Sequence, residues 1–191
     1  MLKYNYYFST KLFDYAQLKN KKVIYSSSAA IYGTSGLPTN IYGWSKLMAE
    51  QYGMNVCDNF VSLRYFNVYG PGEEHKGKMA SVVYQAYKEG SFKLFPGRPK
   101  RDFIYVYDVI TANLMASHAS KGIYEVGSGE MNMFETMLHQ FKIPFTYHTE
   151  DKIPSWYQYN TKADKTKWLP GWKPNFSLKQ GLANYKDYLS K

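Results

Sequence analysis

The 191 residues predict an α/β fold, because helical and extended patterns alternate along the chain. Helical apolar spacing covers residues 9–18 and 42–59, while the short apolar runs at 22–26 and 61–65 indicate strands. A strand, a helix and a second strand in this order indicate a parallel crossover unit.

The remaining two thirds of the chain continue this alternation. We expect Asp108 to cap a helix that ends near Gly122. Leu178, Leu182, Tyr185 and Leu189 have the spacing of an amphipathic terminal helix, which follows Pro174 and Ser177. The other expected elements are a helical face over 79–86 that Gly90 closes, extended segments at 92–95 and 103–106, and a strand at 123–126.

The composition is that of a soluble globular protein, with 45% hydrophobic and 20% charged residues. No apolar run has the length of a membrane span and the start does not resemble a secretory signal, so we expect a cytoplasmic protein without a membrane partner. A single cysteine and four scattered histidines predict neither a disulfide nor a metal site.

The net charge of +9, with 20 Tyr and 11 Phe, raises the question of nucleic-acid binding. The lysines are scattered along the chain and define no basic stripe, so we do not expect a nucleic-acid partner. A small anionic ligand such as a sugar diphosphate would use the same surplus of charge.

Tyr42 and Lys46 form the first candidate catalytic pair, since side chains four residues apart share one face of a helix. An ammonium one turn away favours the ionised form of a phenol, which then serves as an acid/base group. The spacing alone also fits a solvated helix pair. The same spacing recurs at Tyr7/Lys11, Tyr15/Lys19 and Tyr84/Lys88.

The surrounding sequence separates Tyr42/Lys46 from these other pairs. It follows SSSAAIYG (26–33), where a serine at the end of a strand can bond a substrate oxygen. It precedes RYFNVYGP (64–71), which puts Asn67 where ligands collect in open α/β sheets.

These two segments and YGWSK (42–46) occur in an order that resembles the extended short-chain dehydrogenase/reductases, the family of NAD-dependent epimerases and dehydratases. The resemblance runs from about Asn5 to the terminal helix. It implies an incomplete Rossmann-like parallel sheet with a small C-terminal substrate-binding region. The segments 74–81, 100–103 and 156–158 are most similar to family members that epimerise ADP-heptose.

The resemblance also implies a division of the chain by function. Residues 1–70 and 103–128 would be the remnant of the Rossmann-type domain with the Tyr/Lys helix. Residues 71–102 and 129–191 would form the substrate-binding region.

The resemblance implies a catalytic set and an NADP-binding set. Tyr42 would be an acid/base group, Lys46 would support it and hold the nicotinamide ribose, and Ser28 would bind the reacting oxygen. Lys76 would be the second acid/base group, although it also fits an ordinary loop lysine. The residues implied at the cofactor are Lys46, Val68, Lys76 and Asn5.

The implied ligands of an ADP-sugar are Ser28, Asn67, Lys78, Gln85, Arg101 and Tyr157. Arg101 would grip the diphosphate, for which a planar bidentate donor suits well. Its alternative is a surface ion pair with Asp102. Asn67 also fits a turn-forming residue, and Tyr157 a half-buried aromatic side chain.

These 191 residues contain no counterpart of the family's Gly-rich turn, which approaches the cofactor pyrophosphate. We therefore expect a chain that is inactive alone or needs a partner, either a separate N-terminal half or further copies of itself. An open sheet edge is expected along residues 23–26. A truncated product, half of a split enzyme and a sugar-nucleotide-binding module without catalysis remain the three explanations.

Overall fold

A computed structural model describes residues 1–154 and 157–191, except for the side chain of Asp151. The helices are α1 (Ser9–Leu18), α2 (Ile41–Val56), α3 (Val82–Glu89), α4 (Val106–Ala116), α5 (Phe134–Phe141) and α6 (Leu178–Leu189). The strands are β1 (Val23–Ser28), β2 (Phe60–Tyr65), β3 (Asn67–Tyr69), β4 (Phe92–Leu94), β5 (Lys100–Arg101), β6 (Phe103–Tyr105), β7 (Gly122–Val126), β8 (Asn132–Met133) and β9 (Phe145–Tyr147). A π-helical segment covers Lys3–Phe8, and short 3₁₀ turns cover Ala29–Tyr32, Glu74–Met79, Glu150–Lys152 and Lys165–Lys167.

The chain folds into two compact units. The first unit contains Met1–Tyr65, Thr111–Val126 and Asp164–Trp172, and the second contains Phe66–Ile110, Gly127–Ala163 and Lys173–Lys191. The division by function at residues 70, 102 and 128 stays a prediction.

A parallel sheet in the order β1-β2-β7 forms the centre of the first unit. Val23 lies opposite Phe60, and Val61 lies opposite Gly122. The predicted α/β fold with a parallel crossover is therefore confirmed. Within the described part of the chain β1 pairs with β2 alone, so the predicted open edge is present.

Aromatic packing covers one face of this sheet. Phe13 of α1 contacts the rings of Tyr25 and Phe60 edge-on, at centroid distances of 5.5 and 5.2 Å. Gly53 allows α2 to pack closely against β2, since a Cβ at this position would lie 2.1 Å from the ring of Phe60. The resulting cluster is buried and also includes Cys57.

A buried ion pair attaches α2 to the sheet. Glu50 is fully buried in α2 and forms a salt bridge with Arg64 of β2, and it also accepts a hydrogen bond from the hydroxyl of Ser62 (2.6 Å). Arg64 donates a further bond to the hydroxyl of Tyr32 (2.8 Å), which in turn donates to Glu125. A buried charge is tolerated when it is paired and bonded in this way, and the network fixes the position of α2.

The second unit is built from pairs of short strands and three packed helices. β3 pairs with β6 and β4 with β9 in parallel, whereas β5 and β8 are antiparallel. Helices α3, α5 and α6 pack around a core that includes Val83, Leu138, Leu182 and Tyr185. The predicted terminal helix is present, and a capping box formed by Ser177 and Gln180 begins it.

The buried carboxylate of Glu73 fixes the loop between β3 and α3. It accepts hydrogen bonds from the backbone amide of Gly70, from both the amide and the hydroxyl of Ser81, and from the hydroxyl of Tyr185. Glu73 therefore ties both ends of the segment that carries Lys76 to the core of the second unit.

Two predictions about α4 are wrong. Asp108 does not cap the helix, which begins two residues earlier at Val106; its carboxylate instead accepts bonds from the amides of Asn175 (2.8 Å) and Phe176 (3.2 Å). The helix ends at Ala116 rather than near Gly122. No helix in the described ranges combines the length and the apolar character that a bilayer crossing needs.

Candidate functional site

Tyr42 and Lys46 lie one turn apart near the start of α2. The helix begins there because the side-chain oxygen of Asn40 accepts a hydrogen bond from the amide of Gly43 (2.9 Å). A Cβ at Gly43 would lie 2.6 Å from the carbonyl oxygen of Ala30. Glycine thus allows the first turn of α2 to approach the segment that follows β1.

The ammonium of Lys46 is half-buried between α2 and β1. It donates a hydrogen bond to the backbone carbonyl of Ser26 (2.8 Å) and lies 5.1 Å from the ring centroid of Tyr25 and 5.9 Å from that of Tyr42. Burial lowers the pKa of Lys46 below its ordinary value. This amine is therefore easier to deprotonate than a surface lysine.

The other pairs with the same spacing differ in their surroundings. Tyr7 and Tyr15 are exposed, at 60% and 61% of their surface, and Lys19 lies over Tyr15 at 6.0 Å on the outside of α1. Tyr84 packs against the core of the second unit and Lys88 is exposed. Of the four candidate lysines, only Lys46 has a bond to a strand in the described part of the chain.

Ser28 and Asn5 belong to the same unit as Tyr42 and Lys46. The hydroxyl oxygen of Ser28 accepts a bond from the amide of Ala30 (3.1 Å), so its proton can be donated to a ligand. Asn5 donates from its side-chain amide to the hydroxyl of Ser45 (3.0 Å), which donates to the carbonyl of Tyr42 (2.8 Å). Asn5 is thereby tied to the backbone of the residue that carries the candidate phenol.

The second unit contains a cleft of about 410 Å³, a volume typical of ligand pockets. Three of the predicted substrate ligands line it, namely Asn67, Arg101 and Tyr157. Lys93 adds a second cation, and none of the described lining residues is a carboxylate. The cleft therefore suits an anionic ligand.

Arg101 is held rigidly at this cleft. Its guanidinium donates to the carbonyls of Lys100 (3.0 Å) and Tyr159 (2.9 Å), and lies 5.0 Å from the ring centroid of Tyr157. Burial lowers the pKa of Arg101, while Tyr157 opposes this shift. Arginine nevertheless stays charged at neutral pH, so a cation is held at the cleft in a fixed orientation.

The alternative interpretation of Arg101, a surface ion pair with Asp102, is wrong. Asp102 is fully buried, and its carboxylate accepts bonds from the amides of Ser128 (2.6 Å), Gly129 (2.7 Å) and Ala163 (3.0 Å). The salt bridges among the described side chains do not include Arg101.

Val68 and Lys76 line a second, smaller cavity of about 70 Å³. Lys76 and Lys78 are exposed on the turn that precedes α3. The side-chain amide of Gln85 donates to the carbonyls of Ala80 (2.6 Å) and Lys78 (3.3 Å), so it stabilises the end of this turn.

The predicted site residues thus form one group in each unit. Ser28, Tyr42, Lys46 and Asn5 belong to the first unit, and Asn67, Val68, Lys76, Lys78, Gln85, Arg101 and Tyr157 belong to the second. That the two groups of residues form one active site stays a prediction. Trp156, which contributed to the family resemblance, lies outside the described residues.

Among the side chains at the larger cleft that the sequence did not identify are Lys93, Phe95 and His148. Phe95 contacts the rings of His148 and Tyr157 at centroid distances of 5.2 and 4.8 Å. The pairing of β4 with β9, which continues as a bond from the amide of His148 to the carbonyl of Leu94 (2.8 Å), brings them together. No local pattern reveals a pairing over this distance in the sequence.

A parallel sheet whose serine strand lies beside a tyrosine/lysine helix is typical of α/β proteins of Rossmann type. Residues 1–127 match the NAD dependent epimerase/dehydratase family, and the chain belongs to this family.

Similar proteins include nucleotide-sugar epimerases. The chain is 35% identical over 225 residues to an ADP-L-glycero-D-manno-heptose-6-epimerase of Alkalilimnicola ehrlichii, covering 98% of this chain and 69% of the relative. The crystal structure of the Helicobacter pylori ADP-L-glycero-D-manno-heptose-6-epimerase superposes with a TM-score of 0.84 at 32% identity, over 97% of this chain and 65% of that one. A UDP-glucose 4-epimerase of Thermotoga maritima, solved with UDP-glucose, gives a TM-score of 0.84 at 25% identity, over 99% and 70% of the two chains. The chain therefore spans about two thirds of the length of these relatives.

Proposed function

We propose that this chain carries the acid/base and sugar-nucleotide-binding parts of an epimerase that inverts C6 of an ADP-heptose, with NADP as its cofactor. The observation that carries this proposal is the half-buried Lys46 ammonium, which lies one turn from Tyr42 and bonds the serine strand. The 35% identity to an ADP-heptose epimerase supports the choice of substrate.

In this proposal Tyr42 exchanges a proton with the reacting hydroxyl of the sugar. Lys46 favours the ionised phenol through its charge, and Ser28 donates its free proton to the reacting oxygen. Lys76 is the second acid/base group, which acts on the opposite face of the sugar carbon. Two groups on opposite faces suit an inversion.

The larger cleft is the proposed site of the sugar nucleotide. Arg101 and Lys93 would bind the diphosphate, since both are cations and Arg101 offers a planar pair of donors. Phe95 and Tyr157 offer aromatic faces, and Asn67 a polar group for the sugar. Lys78 and Gln85 are proposed to contact the substrate from the neighbouring turn.

The residues present fit the nicotinamide end of the cofactor, because the half-buried amine of Lys46 is a donor that a ribose hydroxyl can use. Asn5, Val68 and Lys76 are the other residues proposed to hold it. When bound, NADP would accept a hydride from the sugar and return it. The pyrophosphate needs a Gly-rich turn, and these 191 residues contain none. We therefore propose that turnover needs a further segment of the family fold.

The test is to supply NADP and ADP-heptose to this chain, alone and together with the part of the Alkalilimnicola enzyme that the chain does not match. Proton NMR of the sugar would follow inversion at C6. We expect inversion only in the mixture, and none when Tyr42→Phe replaces the wild-type. Inversion by the chain alone would contradict the need for a further segment, and no inversion in either sample would contradict the epimerase proposal.

A sugar-nucleotide-binding module without catalysis is the second candidate. It is favoured by the larger cleft, which residues of the second unit alone line. Titration calorimetry would then show ADP-heptose binding without NADP, weakened by Arg101→Ala, while the mixture described above stays inactive. A homo-oligomeric state and a cytoplasmic location stay predictions from the sequence.

A further inference from the structure

Glu135 is a buried carboxylate with one oxygen that the fold does not use. The residue is 5% exposed, and its Oε1 accepts a hydrogen bond from the hydroxyl of Tyr147 (3.1 Å). The other oxygen, Oε2, is enclosed and has no hydrogen-bond partner in the described part of the chain. Buried polar atoms are nearly always bonded, because an unpaired one costs free energy. An acceptor in this state indicates a donor that comes from a ligand.

Glu135 lies next to the larger cleft. Phe134, the residue before it in α5, lines this cleft. In the pairing of β4 with β9, Tyr147 lies opposite Leu94, and residues opposite each other in adjacent strands project to the same face. Leu94 also lines the cleft. Tyr147 and the carboxylate that it bonds therefore lie on the side of this sheet that faces the cleft.

The electrostatics of Tyr157 support this location. Burial raises the pKa of Tyr157 and Arg101 opposes the shift, whereas Glu135 adds to it. Tyr157 and Arg101 both line the cleft, so the carboxylate is close enough to act on the side chains of its wall. Glu135 also belongs to the first turn of α5, where the helix dipole favours a negative charge.

The lining beside Glu135 suits a planar ring. Phe95, Phe134 and Tyr157 are aromatic, and aromatic side chains stack on every nucleobase alike. Stacking therefore does not distinguish one base from another, and this choice needs a polar group. An ionised carboxylate accepts hydrogen bonds and cannot donate them, so Oε2 favours a base that carries an exocyclic amino group.

We propose that Glu135 selects the nucleobase of the bound sugar nucleotide, because its Oε2 accepts a hydrogen bond from the amino group of adenine. The last side-chain dihedral of a glutamate is broad, so a small rotation presents Oε2 to the cleft while Oε1 keeps its bond to Tyr147. Hypoxanthine has a carbonyl in place of this amino group and would set an acceptor against an acceptor. The inference rests on the proposed sugar-nucleotide site in the larger cleft and adds to it the residue that chooses the base.

The first test compares ADP with IDP, the hypoxanthine analogue, on the wild-type chain. Titration calorimetry should show that ADP binds at least about ten-fold more tightly, because a site built around a donor rejects an analogue that lacks it. Equal affinities would overturn the role of Glu135 and leave the cleft as a nucleotide site. If neither nucleotide binds, the proposed function of the cleft and this inference are both wrong.

Glu135→Gln tests the carboxylate directly. The amide keeps one acceptor and adds a donor that bonds the carbonyl of hypoxanthine, so the ratio of the two affinities should fall to about three-fold or less. Glu89→Gln is the matched control, since Glu89 is an exposed glutamate at the end of α3 in the same unit, and it should keep the wild-type ratio. A wild-type ratio in Glu135→Gln, or an equal fall in Glu89→Gln, would contradict the proposal.

Tyr147→Phe separates the selection of the base from a purely structural role. It removes the hydroxyl that bonds Oε1 and leaves the carboxylate in place, so the preference for ADP should persist. If Glu135 only supports Tyr147, both substitutions should weaken ADP and IDP equally, which would overturn the proposal. If Glu135→Gln fails to fold, the NMR signal of the Glu135 carboxyl carbon in the wild-type chain decides. It should shift with ADP but not with IDP, and equal shifts would overturn the proposal.

Discussion

Lys46 donates a hydrogen bond from its ammonium to the backbone carbonyl of Ser26, over 2.8 Å. This bond joins the helix with the candidate phenol to the strand with the candidate oxygen-binding serine. The amine is half-buried, and burial lowers its pKa below the ordinary value.

Tyr42→Phe should slow epimerisation in the mixture of this chain with the unmatched part of the Alkalilimnicola enzyme, and should leave ADP-heptose affinity within about two-fold. The loss should reach 10²- to 10⁴-fold, about the contribution of a positioned acid/base group. Turnover by NMR and affinity by calorimetry would measure the two effects. Tyr7→Phe is the matched control, since Tyr7 belongs to an exposed pair of the same spacing. Equal activity of both variants would exclude Tyr42 from the chemistry.

Lys46→Met should unfold at the same temperature as the wild-type or higher at pH 7. Burial disfavours the charged lysine, so the folded state binds its proton less tightly than the unfolded state. Between the lowered pKa and the ordinary 10.5 the unfolded state holds more protons, and wild-type stability therefore rises with pH through this range. Thermal melts of both proteins should show that the difference between their unfolding temperatures shrinks as the pH approaches 10.5. If the difference in unfolding temperature widens instead, burial of the Lys46 ammonium does not destabilise the folded state.

Arg101→Lys should weaken ADP-heptose binding about ten-fold or more, although the charge is kept. A lysine cannot reproduce the planar pair of donors, nor the bonds to the carbonyls of Lys100 and Tyr159 that hold the guanidinium. Calorimetry would compare it with Arg98→Gln, which removes an exposed charge from the loop that precedes β5. A larger loss in Arg98→Gln would point to general attraction of the anion instead.

Glu73→Gln should destabilise the protein by about 2–3 kcal/mol, since a buried carboxylate that accepts several hydrogen bonds is replaced by an amide that must also place two donors. Urea unfolding would measure the change. The exposed Glu89→Gln at the end of α3 should change the unfolding free energy by less than about 0.5 kcal/mol. Equal stability of the two variants would show that Glu73 does not hold the loop.

The sequence predicted the elements that have a local signal, such as a helix cap or a regular apolar pattern. The terminal helix α6 has a capping box and a regular apolar stripe, and β1 and β2 are compact apolar runs beside a helix. The edge position of β1 followed from the family resemblance and is also confirmed.

Features that depend on distant partners were missed. β3 has three residues and is a strand separate from β2 because it pairs with Phe103–Tyr105. Helix α5 has no side-chain cap at Met133, so its start carried no signal despite the buried Met137 and Leu138. Asp108 looked like a cap, but its carboxylate serves amides 67 and 68 residues away. The alternative interpretation of Arg101 as the partner of Asp102 in an ion pair was wrong for the same reason, since the amides that bind Asp102 follow 26 to 61 residues later.

The backbone passes between the two units five times, so each is assembled from three separate stretches of chain. No contiguous gene segment encodes either unit, and exchanging one stretch with a relative would replace only part of one unit. The ligand preference of a relative therefore cannot be transferred to this protein by exchanging one contiguous segment that encodes a whole unit.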